Sequence, residues 1–385
     1  MKSVYFDNAA STQVDERVLA AMLPFFGQNY GNPSSLHIKG QEAREAIEQA
    51  RTDLAAALNA KREEIIFTSS GTESNNFALK GCAFANRHRG NHLIVSAIEH
   101  DCVLNSCRWL ETQGFSVTYL PVNGDGLIDV NQLQECLQPE TILVSIMHAN
   151  NEIGVIQPLD EIGALCRERG VYFHTDACQS FGKIPFDVER LNVDFATINA
   201  HKIHGPKGVG ALYIRSGSAI LPWQHGGGHE FGLRSATENV PGIIGFAKAA
   251  QICATEMSHE LPRLHALRDR AIDGIFAAIP SAYLNGHRTL RLPTNINVGF
   301  DGFEGQAPNL LMALDKQGII VSTGSACSSH QNKTSHVLAA IGRNPLQAIG
   351  ALRITFGRFT TAEDIEYLLE ILPDAVNNLH SLWSR

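Results

Sequence analysis

The chain has 385 residues, 44% hydrophobic and 18% charged, with a formal net charge of −8. That length exceeds one ordinary core, so two folded units are expected, and the composition is globular rather than disordered. The acidic balance argues against direct nucleic-acid binding, no apolar run approaches the roughly 18 residues of a membrane span, and Met1 to Ala10 has no apolar signal core, so a cytoplasmic protein is expected. Eight cysteines, at 82, 102, 107, 136, 166, 178, 253 and 327, form no C-x-x-C pair. That spacing supports no metal site, and in a reducing compartment they are expected as thiols.

Along the first two-thirds of the chain, apolar strands alternate with helices. Ile65-Ile66-Phe67 is followed by a helical stretch from Glu73, and Leu93-Ile94-Val95 by a helix through Val103, Leu104 and Trp109 that Gly114 stops. Val117 to Leu120 leads to a turn at Asn123-Gly124-Asp125-Gly126. Ile142 to Met147 reads as a fully apolar strand, a helix over Ile162 and Leu165 ends at Gly170, and Val171 to Asp176 is the next strand. This alternation predicts a mostly parallel, doubly wound α/β sheet. From about Pro241 a long helical stretch runs to about Ala278, and a smaller α/β unit follows. Its strands are near Asn295–Phe300, Ile319–Val321 and Leu352–Phe356, and its helices near Leu310, Val337 and from Glu363.

In open α/β sheets, ligands sit at the carboxyl ends of the strands. Four segments there carry unusual chemistry. Thr68-Ser69-Ser70-Gly71-Thr72-Glu73 sets small hydroxyl and glycine residues at a helix N-terminus, which suits a phosphate, although an ordinary N-cap reads the same way. Asp176 ends an apolar strand, where a carboxylate needs a partner: a protonated pyridine nitrogen, or a structural salt bridge. Asn199 to Gly208 places Lys202 just past a strand in a glycine-rich segment, where a lysine can be desolvated as Schiff-base chemistry requires, with Lys207 as the rival candidate. Ser322 to Ser329 surrounds Cys327 with small residues, which suits a nucleophile that travels. A loop cysteine of no consequence is the alternative there.

Phosphate loop, aspartate and lysine in that order supply what pyridoxal phosphate (PLP) needs: an anchor, an electron-sink partner and a Schiff base. With these segments in register, the sequence resembles the cysteine desulfurases of the NifS/IscS type, within the class V aminotransferases of PLP fold type I. The resemblance runs nearly end to end. It includes Tyr5-Phe6-Asp7-Asn8-Ala9-Ala10, Gly31-Asn32-Pro33-Ser34-Ser35, Glu99-His100, Asn150-Asn151-Glu152-Ile153-Gly154, Gly232 to Asn239, Ser335-His336-Val337-Leu338 and Arg353 with Gly357-Arg358.

The resemblance implies a seven-stranded sheet in a large PLP-binding domain, residues 14–250, and a small domain of residues 1–13 and 251–385 that carries the cysteine loop. It implies Lys202 as the Schiff-base lysine, Asp176 at the pyridinium nitrogen and Gln179 at the ring hydroxyl. His100 is implied on the ring face and in proton shuttling, and Gly71, Thr72, Asn199 and His201 around the phosphate. Thr237 is implied at the phosphate of a neighbouring subunit, hence a homodimer. Asn151 and Arg353 are implied at the carboxylate of the substrate, L-cysteine, and Cys327 as the nucleophile that becomes a persulfide while alanine leaves. That persulfide is then expected to pass to a sulfur-acceptor protein, in iron–sulfur cluster assembly, thio-modification of tRNA or DNA, or cofactor sulfuration.

Three positions depart from the family pattern. Ser69-Ser70-Gly71 replaces the usual Ser-Gly-Ala. Cys178 stands where relatives carry Ala or Thr and reads as a packed small residue. The sequence stops at Arg385, where housekeeping bacterial members continue into a tail that docks the scaffold protein, so the resemblance does not carry that partner over.

Overall fold

A computed structural model describes residues 2–324 and 334–383. Cys327, with the rest of residues 325–333, lies outside the described residues. In chain order the strands are β1 (Val4–Tyr5), β2 (Ile65–Thr68), β3 (His92–Ser96), β4 (Ser116–Leu120), β5 (Thr141–Ser145), β6 (Tyr172–Asp176), β7 (Phe195–Asn199) and β8 (Gly210–Ile214). They continue as β9 (Ala282–Leu284), β10 (Asn295–Phe300), β11 (Ile319–Ile320) and β12 (Leu352–Thr355).

Seven strands form the main sheet in the order β2-β8-β7-β6-β5-β3-β4. The pairs from β4 through β7 are parallel, whereas β8 runs antiparallel to both β7 and β2. Successive side chains alternate between the faces, as the pleat dictates. Ile94, Val144 and Phe173 enter one apolar cluster, and Leu93, Val95, Leu143 and Phe195 enter another on the opposite face. Both faces being covered explains why these strands read as continuous apolar runs. The arrangement is α/β, as expected of PLP fold type I. The antiparallel β8 follows β7 after a turn through Gly205, Pro206 and Gly208, a segment whose sequence was read only for its lysines.

A third cluster gathers around a three-stranded antiparallel sheet, β12-β10-β9, and the short parallel pair β1-β11. The helix Val240–Ala278 spans both regions: its Ile243, Phe246 and Ile252 pack into the first cluster and its Leu264, Ile272 and Ile275 into the third. Asp7 bridges to Thr355 beside β12, and Ser322 exchanges two backbone hydrogen bonds with Arg353. The N-terminal segment and β12 thereby reach the carboxyl edge of the main sheet. Among the described residues, no helix is long and apolar enough to cross a membrane.

Candidate active site

A cavity of about 340 Å³ opens where β3, β5, β6 and β7 end. Its lining includes Gly71, Thr72, His100, Asn151, Asp176, Gln179, Asn199, His201, Lys202 and Arg353. Those positions are scattered over most of the sequence, and the parallel strand ends bring them together.

The segment after β2 forms the N-cap read from the sequence and also borders the cavity. Ser70 caps the helix Gly71–Asn76, its Oγ accepting from Glu73 N at 3.1 Å, and Ser70, Gly71 and Thr72 also line the cavity. Glu73 is held by Ser69 N at 2.7 Å and by Arg234 Nε at 2.7 Å. A Cβ on Gly71 would stand 2.6 Å from Cys178 Sγ, so with cysteine at 178 a side chain at 71 would have to displace the thiol. One turn on, Asn75 donates to Asp176 Oδ2 at 2.6 Å, while Cys178 N donates to Asp176 Oδ1 at 2.9 Å. The buried carboxylate is therefore met by neutral donors, not by the salt bridge that was the alternative. Cys178 borders the cavity and is part-buried; desolvation, with the Asp176 charge beside it, holds its thiol well above the ordinary pKa.

Lys202 Nζ donates to the carbonyls of Ala9 and Ala10, at 2.5 and 2.7 Å. Lys207 is exposed and outside the lining. His201 is kept neutral: burial first, then the Lys202 charge, bring its pKa down to about 4. His100 caps the helix Asp101–Thr112, accepting from Cys102 N, and its Nδ1 lies 3.0 Å from Cys102 Sγ. Gln179 Nε2 donates to Ala9 O at 2.9 Å.

Across the cavity, Arg353 on β12 is 2% exposed. Its Nη2 pairs with Asp7 Oδ1 at 2.9 Å and its Nη1 donates to Asn151 O at 3.1 Å. Thr237 is exposed and does not line its own chain's cavity. The roles of Asn75 and Asp7 were not read from the sequence. Asn75 has a local signal, three residues after Thr72 on one helix face. Asp7 has none, because its partner is 346 residues away.

The donor set fits PLP. An amine, a carboxylate held by neutral donors, and a small-residue helix start share one cavity, and Asn199 Oδ1 and Asn75 Oδ1 are buried without a hydrogen-bond partner.

Residues 4–368 match the aminotransferase class-V family. A cysteine desulfurase IscS from Methanosarcina thermophila is 49% identical over 381 residues, covering 99% of this chain and 94% of that protein. A solved structure described as a NifS-like protein superposes with a TM-score of 0.91 at 40% identity, covering 98% of this chain and all of that one. A second, SspA in complex with cysteine, gives 0.82 at 40% identity over 93% of this chain and 99% of its own. The chain belongs to the PLP-dependent class-V aminotransferase family and, within it, to the NifS/IscS-type cysteine desulfurases.

Proposed function

We propose that the protein removes sulfur from L-cysteine, leaving alanine and a persulfide on Cys327, and passes that sulfur to an acceptor protein. The observation that carries the reading is the meeting of Lys202, Asp176 and Arg353 in one cavity. PLP, when bound, supplies the electron sink that makes the substrate Cα proton removable.

The chain's residues do the rest. Lys202 is the cofactor's attachment point and the base for the Cα proton. Asp176, held by Asn75, pairs with the pyridinium nitrogen, and Gln179 donates to the ring hydroxyl. Gly71, Thr72, Asn199 and His201 hold the phosphate. His100 covers the ring and moves protons. Asn151 and the guanidinium fork of Arg353 hold the substrate carboxylate, a planar match that lysine lacks. The Cys327 thiolate attacks the substrate sulfur, a new S–S bond forms as the Cβ–S bond breaks, and the three-carbon remainder leaves as alanine. Residues 14–250 form the PLP-binding domain, and 1–13 with 251–385 the smaller one. The protein is a cytoplasmic homodimer in which Thr237 serves the neighbouring subunit. Acceptors in iron–sulfur cluster assembly, nucleic-acid thiolation or cofactor sulfuration all suit a persulfide donor.

The test is single turnover without reductant, read by mass spectrometry. One added sulfur is expected on the Cys327 peptide, and Cys327→Ser is expected to bind PLP yet make almost no alanine. Sulfur on Cys102 or Cys178 instead would refute the nucleophile.

A further inference from the structure

A smaller cavity of about 40 Å³ adjoins the first and shares Lys202 with it. Lys183 lines this second cavity. Its Nζ donates to Gln179 Oε1 at 3.2 Å. Gln179 Nε2 donates in turn to Ala9 O, the same carbonyl that accepts from Lys202 Nζ. One hydrogen-bonded chain thus runs from Lys183 through Gln179 and the Ala9 carbonyl to Lys202.

Lys183 sits there at a cost. Part of the residue's surface remains open, yet desolvation of the ammonium, and then the Lys202 charge, bring its pKa down to about 7. The carboxylates lining the same cavity do not neutralise it: Glu256 pairs with Arg17 and Arg358, and Glu260 with Arg263. A desolvated ammonium with an amide oxygen as its partner is worse for stability than an apolar side chain of similar length. A reason outside stability is needed, and Gln179 supplies it. A carboxamide has a donor end and an acceptor end of nearly the same shape, so neighbours alone decide which way it points. The Ala9 carbonyl can only accept, so the N–H₂ faces Ala9 and the cavity, and the Lys183 amine, a donor in either protonation state, meets the oxygen on the other side.

We propose that Lys183 is a positioning residue: by donating to Gln179 Oε1 it fixes the Gln179 amide so that its N–H₂ meets the ring hydroxyl of PLP. The inference rests on the cofactor reading above. A flipped amide would set its oxygen against both the Ala9 carbonyl and the ring oxygen, and so favour the protonated ring hydroxyl.

The experiment compares PLP-loaded wild type with Lys183→Met, Lys183→Arg, Gln179→Ala and the Lys183→Met/Gln179→Ala double variant. At fixed pH, the ratio of the two absorption bands of bound PLP reports whether the ring oxygen is ionised. Lys183→Met is expected to shift that ratio roughly threefold toward the protonated form and to lower kcat for cysteine roughly tenfold, with the apoprotein Tm unchanged or higher. Arginine at 183 is expected to restore the ratio, and the double variant to match Gln179→Ala alone. A wild-type ratio in Lys183→Met, or full additivity in the double variant, would overturn the proposal. A wild type that takes up no PLP would overturn the cofactor reading itself.

Discussion

The two walls of the main cavity are built differently. The wall of strand ends from the seven-stranded sheet meets its buried charge with neutral donors: Asp176 accepts from the Asn75 amide and the Cys178 backbone. The opposite wall, from β12 and the N-terminal segment, meets charge with charge: Arg353 is paired with Asp7. A buried cation needs a counter-charge or it destabilises the fold. On the function proposed above, Asp7 keeps the fork in place before substrate arrives, and a substrate carboxylate reaching Nη2 would compete with it. On that reading the first wall would take a pyridinium proton without displacing anything, whereas a carboxylate at Nη2 would rearrange the pair on the second. The proposed function thus makes the cofactor side a preformed receptacle and the substrate side an exchange site.

The largest effect expected is on the first wall. Lys202→Ala should lose covalent attachment of PLP and, with it, turnover of cysteine. Borohydride reduction of the wild type followed by peptide mapping should find the pyridoxyl group on Lys202, and finding it on Lys207 would refute the assignment. On the second wall, Arg353→Ala should keep PLP but lose a charge-assisted fork, about 2–3 kcal/mol or roughly 30- to 150-fold in KM for cysteine. Asp7→Asn separates the two duties of that pair. It should lower Tm, because Arg353 is left buried without its counter-charge, and also lower KM, because the competitor is gone. If Asp7→Asn raised KM as Arg353→Ala does, the exchange picture would fail and Asp7 would be an orienting partner only.

The first wall was also the one most legible in the sequence. Its parts lie at strand ends, each within a few residues of an apolar run, so the loop before Thr72, Asp176 and a lysine between Asn199 and Gly208 could be picked out locally as candidates, while the choice of Lys202 over Lys207 came from the resemblance. The parallel sheet itself follows from runs too uniformly apolar for any surface strand. The second wall was legible only through family resemblance, because Arg353 meets Asp7 across nearly the whole chain and no local pattern encodes that pair. Intermediate cases have small signals. Asn75 shares a helix face with Thr72 but looks like any polar helix residue, and β1, at two paired positions, is too short for a period to register, whereas its partner β11 falls within the strand expected at Ile319–Val321. Antiparallel β8 was missed because its entry turn resembles a catalytic loop. Nothing in the described residues bears on Cys327 itself.

A smaller effect sharpens the comparison by pH. His174 on β6 is fully buried, its ring nitrogens at 2.8 Å from Ser145 Oγ and 3.2 Å from Thr197 Oγ1. Burial lowers its pKa to about 4, against about 6.5 in the unfolded chain. Between those values the unfolded state binds the extra proton, so stability is lost as pH falls from about 6.5 toward 4. The stability difference between wild type and His174→Gln should therefore shrink by about 2–3 kcal/mol from pH 7 to pH 4.5, measured by denaturant unfolding of the apoproteins. An unchanged difference would mean that His174 takes up its proton as readily in the fold as in the unfolded chain, and that burial does not hold it neutral.

The smallest effect asks whether one chain completes its own first wall. Thr237 is exposed and outside its own cavity lining, so a phosphate contact from it has to come from a second copy. Losing one hydroxyl bond to a charged phosphate should cost about 1–1.5 kcal/mol, so Thr237→Ala should weaken PLP binding roughly five- to tenfold. The magnitude alone does not say which subunit supplies the hydroxyl, but a mixed dimer does. Pairing a Thr237→Ala chain with a Lys202→Ala chain gives, if Thr237 acts across the interface, one site with both residues intact and one with neither. If it acts within its own chain, each site lacks one of the two. PLP titration of the mixed dimer should therefore show half the sites attaching cofactor covalently with wild-type affinity. If the sites that attach cofactor covalently instead showed the weakened affinity of Thr237→Ala, the contact would lie within one subunit, and the case for an obligate dimer built on Thr237 would be gone.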